Sequence, residues 1–195
     1  MMRTLLFAAF AAFLMMAMPS DIQAQDRPAS PRGEAATQIG DDWLVVDYGR
    51  PILRGRTGIF GEGESYGEGV LANGEVWRAG ANKSTRFMTE RDLMFGNHHL
   101  PAGEYSLFVD LAADGWTLIV SSHEAKNSGR EDGPGIWGAY NYDADMDVFR
   151  TAMMMSESPM SIDQFSIFFS DVTEQGGTLN MAWENTIASV SFMAH

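Results

Sequence analysis

From residue 35 onward, apolar side chains recur at every second position, which is the period of a half-buried strand rather than of a helix. Ala35, Thr37 and Ile39 alternate with polar or small neighbours. "WLVVDY" (43–48) is a short apolar run between "GDD" and "GRP". "STRFMT" (84–89) and "DLMF" (92–95) predict two further short strands. In "EYSLFVDL", Tyr105, Leu107, Val109 and Leu111 fall on one face; in "WTLIVSS", Trp116, Leu118 and Val120 do. "ADG" (113–115) between them is hairpin chemistry. "DVFRTAMMMS" (147–156) reads as a strand whose three methionines fill gaps in the core. "QFSIFFS" aligns Phe165, Ile167 and Phe169, and "EQGG" (174–177) turns the chain. "TLNMAWENTIASVSF" (178–192) supplies two strands that break near Glu184 and Asn185, with Leu179, Met181 and Trp183 on one side.

About ten short strands at this spacing, with no helical stripe and no strand–helix alternation, predict an all-β fold. The expected architecture is an antiparallel two-sheet β-sandwich, jelly-roll-like; a closed β-barrel is the alternative. Two long connections, residues 49–74 and 123–145, are rich in glycine and polar side chains. Loops of that length in a compact domain tend to be functional or mobile.

The first residues belong to another pattern. Arg3 precedes an uncharged apolar run from Leu5 to Met18, then Pro19, Ser20 and a small residue, Ala24. That is the layout of a secretory signal peptide over residues 1–24, shorter than the ~20 apolar residues that span a bilayer. "QDRPASPRG" (25–33) is the expected linker, and residues 34–195 form a single domain long enough to bury roughly 70% of its unfolded surface. The expected location is the periplasm or the extracellular space. The chain has no cysteine, so its core is expected to form without disulfides.

With 26 acidic against 13 basic residues, the net charge is −13. Such a surface repels phosphates, which argues against nucleic acid as a partner. No basic amphipathic segment suggests membrane insertion after signal cleavage. Small molecules, glycans and envelope proteins are the partner classes left, and no cofactor motif is present.

Candidate chemistry concentrates in "GEVWRAGANKST" (74–85). Arg78 is expected to be a buried guanidinium paired with the carboxylate of Glu75 or Glu184, tying the sheets together; a clamp for a substrate anion is the functional alternative. Asn82 follows Gly80-Ala81 and suits a left-handed turn. Trp77 and Trp183 are expected in the core. Tyr48, Arg50, Glu75, Trp77, Arg78, Asn82 and Glu184 make up the candidate ligand-binding set, with the segment forming a cleft together with the 49–74 loop. Trp137 and Tyr140 offer further flat surfaces for stacking. Glu75 and Glu184 are formally a carboxylate pair for hydrolysis, but no nucleophile elbow, zinc helix or phosphate loop accompanies them. Asp143, Asp145 and Asp147 form a loose candidate cation site without the glycine and distal glutamate of an EF-hand. His98-His99 is expected in a solvated turn.

Several of these stretches occur together and in order: "SPRGEAATQIG", "VDYGRP", "RGRTGIFG", "GEVWRAGANKSTRF", "LPAGEYSLF", Trp116, Trp137-Gly138 and "AWENTIASV". Together they resemble the domain of unknown function 2911 family over nearly all of the chain after the leader. The resemblance implies an exported, mostly β, single-domain bacterial protein, and it brings no reaction and no catalytic residues. The acidic "GEGESYGEGVLANGEVW" and the "SSHEAKNSGREDGPG" loop depart from the family's pattern. The leading expectation is a non-enzymatic binding module; the alternative is a hydrolase using Glu75 or Glu184 with Arg78 and Asn82.

Overall fold

In the structure, a computed structural model that describes residues 28–71 and 74–195, the alternating segments form two antiparallel sheets. The larger contains β1 (Arg32–Ile39), β2 (Asp42–Gly49), β3 (Thr85–Thr89), β6 (Gly103–Ala112), β7 (Gly115–Ser121) and β8 (Asp147–Ala152), in the order β1-β2-β3-β6-β7-β8. The smaller contains β4 (Leu93–Phe95), β5 (His98–Leu100), β9 (Met154–Thr173) and β10 (Gly176–Ala194), in the order β5-β4-β10-β9. Neither sheet closes on itself, so the arrangement is a sandwich and not a closed barrel.

Period-two alternation decides which side chains meet between the sheets. Leu44, Val46, Phe87, Leu107, Val109, Leu118 and Val120 project from one layer, and Phe165, Ile167, Leu179, Met181 and Trp183 from the other; all are buried. Burying each large apolar side chain stabilises the fold by about 1.5–3 kcal/mol before entropy is counted. The predicted hairpin at residues 113–115 is present, with Ala112 opposite Gly115.

Five local expectations are corrected. Residues 178–192 form a single strand within β10; register shifts on either side of Glu184, which adopts φ +54°, bend the strand where a break was expected. The strand expected over residues 147–156 divides into β8 and β9, and its methionines do not all fill the core. Met153 is buried and Met155 packs against the core margin, but Met154 points to solvent because neighbours on an extended chain face opposite ways. His98 and His99 lie on β5: His98 stacks on Phe149 at 5.0 Å, and His99 Nε2 lies 3.0 Å from the Asp92 carboxylate. The 123–145 connection covers the outer face of the larger sheet, where Phe108 and Ile119 pack with Val76, Ile136 and Ala139. The linker's second half belongs to the fold: β1 begins at Arg32, and the carbonyls of Ala29 and Pro31 accept the N–H groups of Ile52 and Arg50. The expected signal segment (1–24) and residues 25–27 lie outside the described residues.

Candidate functional site

The site originates where β3 stops short. The last β3–β6 pair is Thr85 opposite Leu107. Two residues further along β6, Trp77 occupies the same edge, exchanging backbone hydrogen bonds of 2.8 Å with Val109. Residues 78–84 therefore leave the sheet and return to it as a loop. Its turns require left-handed backbone at Ala79 (φ +46°) and Asn82 (φ +65°), as well as Gly80 at φ +146°. Asparagine suits such a position because its short side chain tolerates that region.

A loop beside a core must satisfy its polar groups locally. Trp77 Nε1–H donates to the Gly80 carbonyl at 3.2 Å, and the Thr85 hydroxyl donates to the Ala79 carbonyl at 2.7 Å. The buried Ser84 hydroxyl reaches the Gly138 carbonyl at 2.7 Å, tying the loop to the 123–145 connection. Close backbone packing completes the knot. A methyl group on Gly49 would sit 2.0 Å from the Ala81 carbonyl oxygen, so only glycine fits there.

Beside this knot is a cleft of about 350 Å³. One wall is Trp77, Arg78 and residues 80–82; the other comes from the 49–74 connection through Arg56, Ile59 and the single helical turn Glu68–Leu71. Trp183 and Trp77 form part of the lining, their rings stacked 10° from parallel with centroids 6.3 Å apart. Phe60 packs edge-on against Trp77, Trp116 and Trp183, so the wall rests on a dense aromatic core. Among the described residues neither aspartate nor glutamate lines the cleft.

Arg78 is half-buried, and burial holds its pKa below the usual arginine value. Its Nη1 donates to the Asn82 carbonyl at 3.2 Å, and the guanidinium lies against Gly138, where a methyl group would come within 2.7 Å of Nη1. The expected carboxylate partner is absent: Arg78 takes part in none of the ion pairs among the described residues. Glu75 is exposed. Glu184 is engaged elsewhere, its two carboxylate oxygens accepting the N–H groups of Gly58 (2.5 Å) and Ile59 (3.0 Å). It therefore holds the cleft wall in place.

Of the candidate binding set, the structure brings Trp77, Arg78 and Asn82 to the cleft. Tyr48 is a core residue. Its hydroxyl accepts the Ile167 N–H at 2.9 Å and lies 3.3 Å from the Ile167 carbonyl, stapling β2 to β9 across the sandwich. Arg50 packs over Gly33 and donates to the Arg32 carbonyl. Trp137 is partly buried over Gly129, and Tyr140 is exposed; neither lines the cleft.

The three aspartates do not converge. Asp143 caps a short 3-10 turn by accepting the Asp145 N–H, while Asp147 turns towards the Tyr142 hydroxyl and Arg150 Nε. Burial, and then that acidic neighbour, push the Tyr142 hydroxyl pKa well up. His123 Nε2 accepts the Asp143 N–H at 3.0 Å. Among the described residues no three histidine, aspartate or glutamate side chains are placed to hold a metal ion together.

The family model described as "Protein of unknown function (DUF2911)" matches residues 30–192. The chain belongs to the DUF2911 family. A search of the curated proteins and one of the solved structures each returned no match. The match to the DUF2911 model takes in every described residue of the cleft except Ala29. Sequence reasoning missed Arg56, Ile59 and Val70 as cleft residues of this DUF2911 domain. The "RGRTGIFG" stretch carried a signal for the first two, since it sets an arginine and apolar side chains among glycines.

Proposed function

We propose that this DUF2911 protein is an exported, non-enzymatic β-sandwich that binds a small molecule in the cleft between residues 77–82 and the 49–74 connection. The leader pattern of residues 1–24 supports export. One observation carries the binding reading: a concave site of about 350 Å³, lined by both polar and apolar groups, that lies beside the aromatic core and whose rim is locked by the loop knot. Ligand sites are commonly preformed, largely apolar and furnished with a few fixed polar groups, and this volume is at the lower end of their range. Among the described residues nothing in the lining offers a carboxylate for acid–base work, which favours binding over hydrolysis.

The test is a ligand screen by thermal shift on the purified protein and on Ala81→Trp, which fills the cleft from its rim. Compounds that raise the melting temperature of the wild type are expected to lose that effect in Ala81→Trp. Hits unaffected by the substitution overturn the reading. So does turnover of glycoside, ester or peptide substrates that is lost in Glu75→Gln or Glu184→Gln.

A further inference from the structure

We propose that the cleft takes a small organic acid, with its carboxylate on Arg78 and Arg56 and its apolar body against Ile59 and Val70. This rests on the reading of the cleft as a binding site and names its ligand class.

The distribution of charge carries the inference. Acidic residues outnumber basic ones two to one in this chain, 26 against 13, yet among the described residues the cleft is lined by two arginines and no acid. Elsewhere Arg32, Arg86, Arg91 and Arg150 each have a carboxylate within ion-pair distance. Among the described residues the cleft arginines bond to backbone carbonyls. Arg78 donates to Asn82, and Arg56 donates through Nε to Leu53 and through Nη2 to Ile52, both at 3.0 Å. A guanidinium carries five N–H donors, so both retain donors for a ligand.

Arg78 is half-buried and has no ion-pair partner among the described residues. That is costly for a fixed charge and is relieved when a carboxylate arrives. Glu184, next in sequence to the lining residue Trp183, accepts the N–H groups of Gly58 and Ile59. The flat two-oxygen geometry of a carboxylate matches the guanidinium fork. The net negative field of the protein disfavours long-range capture of anions, so recognition depends on short-range contact inside the cleft.

The experiment measures binding of benzoate, indole-3-acetate and hexanoate against their uncharged amides by ligand-observed NMR. It uses the wild type, Arg78→Gln, Arg56→Gln and Ala81→Trp, each first checked for a cooperative melt. The acids are expected to bind the wild type at least about tenfold tighter than the amides, as a charge-assisted hydrogen bond implies. Arg78→Gln should abolish that preference and leave amide binding within about twofold; Arg56→Gln should reduce it, and serves alone if Arg78→Gln does not fold. Equal binding of acids and amides, blocked by Ala81→Trp, sinks the organic-acid assignment and leaves the cleft as a site. Preference that survives both arginine substitutions also overturns it. No binding by either series, or binding indifferent to Ala81→Trp, overturns both readings.

Discussion

Glu184 couples the bend of β10 to the cleft wall, and replacing it should reverse a familiar order of stability. In the interior of a strand, glycine is normally worse than alanine by about 0.5–1 kcal/mol. At position 184 the backbone is left-handed, at φ +54°, where an L side chain costs about 1–2 kcal/mol. The wild type offsets that strain with two hydrogen bonds that the Glu184 carboxylate accepts from the N–H groups of Gly58 and Ile59. Bonds to charged groups contribute about 1.5–3 kcal/mol, and the exposed Gly58 bond falls below that range. Glu184→Ala loses both bonds and keeps the strain, so it should destabilise by about 2–3 kcal/mol. Glu184→Gly loses the same bonds and sheds the strain, so it should be more stable than the alanine variant by about 1 kcal/mol. Urea unfolding followed by tryptophan fluorescence measures both, since Trp183 is adjacent. A glycine variant less stable than the alanine variant, or an alanine variant within about 0.5 kcal/mol of wild type, refutes this account of the bend.

Tyr48→Phe keeps the ring's packing but strips the Ile167 N–H and C=O of their only cross-sandwich partner; a loss of about 2 kcal/mol in urea unfolding is expected, and one under about 0.5 kcal/mol would show that the staple adds nothing. The Ala102 N–H, and then His99, hold the Asp92 carboxyl below the usual carboxylate range. A depressed folded-state pKa stabilises above the unfolded value, and that stability disappears as pH falls through the folded value. Asp92→Asn should therefore lose less melting temperature than wild type on acidification below about pH 4; parallel curves for the two proteins across that window would contradict the assignment.

Strand positions were legible in the sequence because alternation is a local property. Leu107, Val109, Leu118 and Val120 face inward as their spacing predicts. β5 was not legible: three residues beginning with two histidines carry no apolar pattern, and their pairing with β4 is set by the turn between Phe95 and His98. The outer cover of the larger sheet had a signal that alternation alone obscures. "LFV" and "LIV" place Phe108 and Ile119 between inward residues, and a strand apolar on both faces is covered on both.

The site divides along the same line. Trp77, Arg78 and Asn82 stood out because glycine and polar residues crowd around a tryptophan, which marks a loop that must satisfy itself. The partners did not, because pairing is non-local. Glu184 is placed by the bend of β10, and its reach to Gly58 and Ile59 spans more than a hundred residues of chain. With that carboxylate on the wall, Arg78 has no ion-pair partner among the described residues. Glu184, at φ +54°, reaches the 49–74 connection and not the arginine the sequence suggested it would meet. The knot and the cleft share one loop: residues 77–85 set the half-buried Arg78 at the cleft while polar groups of the loop are satisfied by hydrogen bonds to their own backbone and to the 123–145 connection, which is what holds a loop beside a core in one conformation.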